Sequence, residues 1–523
     1  MGMRWAPALV AGFLCFGGMA AAQERAVVIG VGSSVTSTDP HYHNLTPNTM
    51  VARHFFDTLV AQDAQLRLKP GLAESWRPIN DTTWEFKLRK GVTFSDGSDF
   101  DAKDVLASFK RIPNVPNSPS SFTISLTAVK DTKVVDPYTL QIMTEKPAPL
   151  LPTDLANVLI INAKAETAST ADFNSGKAMI GTGPFKFVEY VPGERIVMAR
   201  NDAYWGDKPA WSKVTTRIMT NAAARVAAVR AGELQMIDAV PTADIANLKK
   251  DPEIRISNAI SNRLIYLHLD RFREVTPYAT DKAGQPLPKN PLHDLRVRQA
   301  LSRAINRPLL VERVMEGQGI PAGQLLPDGF FGVSPNLKVE KPDPDAAKKL
   351  LAEAGYPEGF KLTVHGPNDR YINDAKVLQA VAQMFSRIGI ETQVETMPWA
   401  TYATRASKPE FTVSLVGWGA DTGETSSPLR SLLATYDREK GLGQGNRGRY
   451  SNPKLDALLE KALSTVDDAA REKLLQEACE IAINDLGVIP LHYEVSTWAT
   501  RKGYAYAGMA NQNTLAMNLK PGS

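Results

Sequence analysis

Cysteine is almost absent: Cys15 and Cys479 are the only two in 523 residues. Cys15 lies in a leader argued below to be removed, so Cys479 has no partner for an internal disulfide and stability must come from core size. Around it Leu474, Leu475, Ala478, Ile481 and Ala482 recur at helical spacing, which makes Cys479 a small buried hydrophobe rather than a reactive thiol. An excess of one charge is missing too. The 60 Lys+Arg against 56 Asp+Glu leave +4, too little over this length for the basic footprint of a nucleic-acid protein. Beyond residue 22 no apolar run approaches the roughly 18 residues of a membrane-spanning helix.

The signatures of covalent chemistry are also missing. There is no Gly-x-Ser-x-Gly elbow, no Gly-x4-Gly-Lys-Ser/Thr loop and no His-Glu-x-x-His. Gly443-Gln444-Gly445-Asn446-Arg447-Gly448 spells a dinucleotide fingerprint, but it follows charged Asp437–Lys440 rather than a strand and reads as a flexible surface loop. His41 and His43 stand in a Pro-flanked loop with no Cys or third His nearby, so polar loop residues are expected there rather than metal ligands. Asp96, Asp99, Asp101 and Asp104 depart from calcium-loop spacing and read as capping and solvated groups. No catalytic residue, metal or cofactor is expected.

What is present begins with the leader. Arg4 is its only charge, an apolar run extends from Trp5 to Phe16, and Ala20-Ala21-Ala22 offers a small-residue cleavage site. Residues 1–22 therefore read as a secretory signal, too short to span a bilayer and followed by no stop-transfer pattern. Leu14 precedes Cys15 where a lipid-anchor site would have a small residue, so no anchor is expected. The remaining length corresponds to roughly three to four domains.

Along the chain, Ala26–Val31 reads as a strand, and Met50, Val51, Phe55 and Leu59 share one helical face. Trp84, Phe86 and Leu88 alternate with charged residues as a half-buried strand. Phe185–Tyr190 and Ile196–Ala199 form a strand pair across Pro192-Gly193. Asp343-Pro344 caps a helix with Ala347, Leu350, Leu351 and Ala354 as its apolar stripe, stopped by Gly355. Val377, Val381, Met384, Phe385 and Ile388 mark another helix, followed by an alternating strand at Ile390, Thr392 and Val394 and a largely apolar one from Phe411 to Trp418. The pattern is α/β, with both sheet faces covered.

The stretch Trp84-Glu-Phe-Lys-Leu-Arg-Lys-Gly-Val-Thr-Phe-Ser-Asp-Gly97, continuing Phe100-x-Ala102-x-Asp104-Val105, resembles the signature region of family 5 solute-binding proteins, the dipeptide- and oligopeptide-binding components of ABC importers. Four more stretches fit in order: Gly71-Leu-Ala-Glu-Ser-Trp76, Gly181-Thr-Gly-Pro-Phe-Lys186 with Asn201-x-x-Tyr204-Trp205, Val297-Arg-Gln-Ala-Leu-Ser-x-Ala-Ile305, and Gly417-Trp418. The resemblance covers essentially the whole chain after the leader. It implies an α/β two-lobed periplasmic-binding-protein clamshell (type II, cluster C) with an extra domain on the first lobe. By analogy 23–55, 205–270 and 488–523 build the first lobe, 56–204 the extra domain and 271–487 the second lobe. The expected role is capture of a peptide or peptide-like solute by hinge closure and its delivery to an inner-membrane ABC permease, by a monomer in the periplasm. Relatives with these motifs carry nickel chelates, haem, glutathione, opines or oligosaccharides, which leaves the ligand open. An exported hydrolase or chaperone is the reading from another class.

A zwitterionic guest needs fixed counter-charges, because a buried ammonium without a partner is very costly. In the family's dipeptide binders an aspartate shortly after the Gly-Trp pair receives the α-amino group, and Asp421 occupies that position here. Gly417 and Trp418 would lie beside the ligand, with Glu424 as a second carboxylate. At the carboxylate end this chain departs from the dipeptide binders: Asp374-Ala375-Lys376 stands where an arginine would be aligned. Arg370 is the nearby guanidinium that could take its place.

Overall fold

The computed structural model describes Gly2 and residues 25–522. The expected signal and its cleavage site lie outside the described residues. The largest element is a 12-stranded mixed sheet. At one end Ala26–Val31 runs parallel to both Lys213–Ile218 and Met236–Ile237, and Lys213–Ile218 pairs antiparallel with Arg195–Arg200. At the other end Lys361–Pro367 lies parallel to Glu391–Met397 and Val413–Gly419.

Two long antiparallel strands, Ile254–Leu269 and Val488–Arg501, connect these ends. Their ladder runs from Ile254↔Arg501 to Ile260↔Val495, breaks, and resumes from Leu264↔Tyr493 to His268↔Val488. Beyond the break Arg263–Leu269 also pairs with Val413–Gly419, so the second half of each long strand belongs to a different body from the first. One apolar core extends from Leu264 to Tyr493, and another gathers Val27, Phe55, Val214, Trp498 and Leu519. The lobe junction therefore falls at the bulge near 261–263, not at 270 and 488.

A separate four-stranded antiparallel sheet, in spatial order Ala73–Asn80, Thr83–Leu88, Thr139–Thr144, Val129–Asp136, has its own core. Trp84, Phe86 and Leu88 point inward, as the alternation requires. The helix Ala102–Arg111 packs here and starts with a capping box: the Asp101 side chain accepts from Lys103 N, and Asp104 accepts from the Asp101 amide. The expected end of this domain at 204 does not match the sheet. Phe185–Val191 and Arg195–Arg200 extend the first lobe's sheet instead, because their hairpin is hydrogen-bonded to Lys213–Ile218.

The helix Asp374–Ser386 buries Val377, Val381, Met384 and Phe385, matching its apolar spacing. Cys479 is fully buried inside Asp468–Asn484, and burial pushes its thiol up to about 12. The Gly443–Gly448 segment is anchored rather than loose. Asn446 donates to the carbonyls of Ala434 and Tyr450, and a Cβ on Gly448 would lie 2.0 Å from Leu269 O. His41 is buried, with Nε2 2.7 Å from Leu159 O, so it is a core residue rather than the solvated loop residue its surroundings imply.

Candidate ligand-binding cleft

The break in the ladder arises from three residues, Ser261, Asn262 and Arg263, bulging opposite Glu494. Ser261 Oγ accepts from Arg263 N at 3.1 Å, which tightens the bend. The bulge turns Arg263 and Glu494 into a space between the lobes, where Nε and Oε2 lie 3.5 Å apart. Glu494 also accepts from Gln512 Nε2 at 3.3 Å and from Ile372 N at 3.1 Å, so it ties the crossing strands to the lip of the second lobe.

This space is a cavity of about 700 Å³. Met50, Val240, Pro241 and Trp498 of the first lobe face Gln318, Ile372 and Asn373 of the second across it. That size and mixed lining fall within the range of small-molecule sites. Asn373, at a left-handed φ of 55°, donates from Nδ2 to Thr242 Oγ1 at 3.1 Å and joins the two lobes along one edge.

A smaller cavity of about 140 Å³, also touching Leu45 and Thr46, holds Asp421. Its lining is largely polar: Thr49, Arg53, Gln62, Asn157, Asn511 and Asn513 share it with Asp421. Asp421 is exposed, with Oδ1 accepting from Asn262 Nδ2 at 3.0 Å and its carbonyl from Gln62 Nε2 at 3.3 Å. Asn262 belongs to the bulge and Gln62 to a hairpin of the extra domain, so one fixes the Asp421 carboxylate and the other its backbone.

Arg53 sits between two acids. Burial lowers its pKa, while Asp421 and Asp57 act against that. Asp57 is in turn held by Trp205 Nε1 at 2.8 Å, Thr182 Oγ1 at 2.9 Å and Tyr204 OH at 3.3 Å. These donors lie in the Gly181-Thr-Gly-Pro and Asn201-x-x-Tyr204-Trp205 stretches, which brings those motifs together on one side chain. Gly181 is needed because a Cβ there would lie 2.0 Å from Phe55 O. Gly181→Ala is expected to cost about 1–3 kcal/mol of stability through overpacking, read as a lower thermal midpoint; an unchanged midpoint would contradict the close approach.

The remaining candidates separate. Arg370 is exposed on the large cavity, its guanidinium 5.4 Å from the Trp399 ring centroid and 5.5 Å from that of Tyr371. Gly417 lies behind Tyr371, whose hydroxyl donates to its carbonyl at 3.2 Å; a Cβ there would sit 2.7 Å from the Tyr371 ring. Trp418 is half-buried against the second lobe's core, with Nε1 3.3 Å from Ser427 Oγ, and it borders neither cavity. Glu424 does not face the ligand space. It is buried, 2.5 Å from Arg471 Nη1 and 2.6 Å from Ser426 Oγ, and those partners occupy it.

Sequence reasoning missed Arg53, Arg263, Glu494 and the asparagines near the C-terminal end. A signal existed for two of them: Arg263 directly precedes the apolar run 264–267, and Glu494 is the one acid in Val488–Arg501.

Two α/β lobes, two crossing strands and a walled cavity between them define a two-lobed binding protein, and solved structures of that class superpose on the chain. HbpA2 from Haemophilus parasuis does so with a TM-score of 0.81 at 25% identity, covering 95% of this chain and 100% of its own. The periplasmic binding protein DppA from Helicobacter pylori, in complex with the peptide STSA, gives 0.74 at 24% identity over 95% and 98% of the two chains. The chain belongs to the bacterial extracellular solute-binding proteins, family 5, whose model matches residues 67–440. It is 30% identical over 482 residues to the glutathione-binding protein GsiB of Shigella flexneri serotype 5b, across 90% of this chain and 89% of that protein. It is 29% identical over 460 residues to heme-binding protein A of Haemophilus influenzae, across 82% and 79%. The chain is thus the solute-binding component of an ABC importer.

Proposed function

We propose that the chain is a periplasmic receptor for a short peptide or peptide-like solute with a free ammonium group, which it delivers as a monomer to an inner-membrane permease. The observation that carries this reading is Asp421, an exposed carboxylate held at Oδ1 by Asn262, with its backbone carbonyl held by Gln62, in a polar recess beside the large cavity. A carboxylate fixed in this way meets an ammonium with a charge-assisted hydrogen bond and needs no rearrangement of its own. Closure over the guest would remove both charges from water and strengthen the pair. The leader with Arg4, its apolar run and Ala20–Ala22 supports the compartment. No covalent step is assigned to any residue, so substoichiometric turnover of a peptide would count against a pure receptor.

Asp421→Ala is expected to weaken ligand binding by more than about 2 kcal/mol, roughly thirtyfold in Kd, because it strips a buried charge of its partner. Titration calorimetry with the solute that co-purifies, identified by native mass spectrometry, measures this. Asp421→Asn keeps the shape and should lose almost as much. Unchanged affinity in both variants would remove Asp421 from the site. A co-purifying haem, the ligand in the name of one relative, would redirect the reading within the same receptor class, whereas glutathione, named in another, is a peptide with a free ammonium and would fit it.

A further inference from the structure

The charges lining the large cavity do not cancel. Its acids are Asp238 and Glu494, and each is already occupied. Asp238 Oδ1 accepts from Gly32 N at 2.7 Å, Oδ2 from Thr514 Oγ1 at 3.4 Å, and the buried Arg225 guanidinium lies behind it at 4.0 Å. Glu494 is taken up by Arg263, Gln512 and the Ile372 amide. Arg263 is thereby matched as well.

Two lining cations remain, Arg370 and Lys376, both exposed and neither in an ion pair among the described residues. The acids nearest to them in sequence are turned to other tasks. Asp369 Oδ1 accepts from Trp399 N at 2.7 Å. Asp374 Oδ2 accepts from the Arg370 and Tyr371 amides, and its Oδ1 from Ala375 N. Arg370 is also oriented by the Trp399 and Tyr371 rings, a platform that holds a guanidinium without neutralising it.

Resting on the reading of this cleft as a small-solute site, we propose that its second-lobe end is a dicarboxylate subsite: Arg370 and Lys376 together receive two anionic groups of one ligand. Arg370, a planar fork on an aromatic base, takes a carboxylate in a fixed geometry, whereas Lys376 follows the second group as a mobile point charge. The ligand class is a solute with two carboxylates at one end, such as a peptide with an acidic C-terminal residue. A single α-carboxylate would leave one of these cations without a partner once closure excluded water.

Two probe pairs test this, each differing in the second anion. Ala-Ala-Glu against Ala-Ala-Gln asks the question of a peptide, and protoporphyrin against its dimethyl ester asks it of a tetrapyrrole. Titration at low salt should give at least tenfold tighter binding of the diacid in the pair that binds. Lys376→Gln should reduce that preference below threefold, and Arg370→Gln should weaken both members of the pair by tenfold or more. Both residues are exposed, so an unchanged thermal midpoint would verify that the variants are folded. Equal binding of Ala-Ala-Glu and Ala-Ala-Gln by the wild type would overturn the dicarboxylate subsite and leave the peptide reading intact. Preference for the free porphyrin acid with no binding of either peptide would do the reverse. Binding of neither pair would overturn both.

Discussion

Replacing Arg111 with alanine is expected to lower the unfolding free energy by about 3–5 kcal/mol, the range for removing one partner of a buried pair. Its guanidinium meets Asp39 as a two-pronged fork, Nη1 to Oδ1 at 2.8 Å and Nη2 to Oδ2 at 2.7 Å. Both side chains are shut from solvent, at 4% and 0% exposure. Nη2 also reaches Ala168 O at 3.1 Å, and the guanidinium lies 4.5 Å from the Phe173 ring centroid. Without Arg111 the Asp39 carboxylate would keep only Thr170 Oγ1 and the His41 amide. Asp39 lies in the first lobe's opening loop and Arg111 at the end of the extra domain's helix, so the pair joins two bodies. Urea unfolding followed by tryptophan fluorescence at pH 7 should show the loss and a broader or split transition as the extra domain uncouples. A loss below 1 kcal/mol, with one sharp transition, would mean that this pair carries no tie. Arg111→Met, which fills the space but leaves the Asp39 charge alone, should fare little better.

Acid should destabilise the fold well above the ordinary carboxylate range. Burial lowers His41, His54 and His492 to about 4 and His268 to about 3. An unfolded histidine takes up its proton near 6.5, whereas these remain neutral while folded. Their stabilising contribution is complete above that value and is lost as pH falls toward 4. Two carboxylates act in the opposite sense: burial raises Asp154 to about 7 and Asp238 to about 6, so the folded state gains protons there first. Asp57, Asp104 and Asp374, raised by burial, add to that side, and His365, lowered by burial, to the other. The largest shifts, four histidines against two aspartates, leave a surplus of at most about two protons on the unfolded chain, which the three further aspartates reduce. At about 1.4 kcal/mol per proton and pH unit, stability should fall by up to roughly 2.7 kcal/mol per unit between about pH 6 and 4.5. Asp39, lowered despite its burial by the Arg111 hydrogen bond, extends the loss below the ordinary carboxylate value near 3.8. Urea titrations at pH 7, 6 and 5 read the slope directly. Equal or greater stability at pH 5 would mean that the buried imidazoles do not govern it.

Much of this architecture could be read from side-chain spacing. The inward face of Asp374–Ser386 and the alternation at Trp84, Phe86 and Leu88 are local patterns, and local patterns survive folding. The acidic run at 96–104 was legible as capping because Asp101 and Asp104 sit at box spacing. What escaped depended on pairing between distant segments. Nothing near residue 185 says that its hairpin will join a strand at 213 rather than the preceding domain. His41 and the Gly443–Gly448 segment look polar and loose in sequence, yet Leu159 and Leu269 close over them. Glu424 shows the same limit at the site: its place after Gly-Trp fits a ligand contact, but Arg471, far along the chain, claims it. The recess around Asp421 was half legible. Its carboxylate stood out by motif, while Arg53, Gln62 and Asn513 arrive from other parts of the chain.

The way the cores are assembled bears on how a polypeptide threaded through a membrane matures. Everything in the second lobe's core comes from one continuous stretch, Leu264 to Tyr493. The first lobe needs Val27 and Leu519 in the same cluster, with Trp211 Nε1 donating to Leu519 O at 2.7 Å. On emergence the distal half has all its parts before the proximal half does, and the segment emerging first must wait longest for its partners. The first lobe's core, which includes the earliest strand of the chain, is therefore the last to be completed.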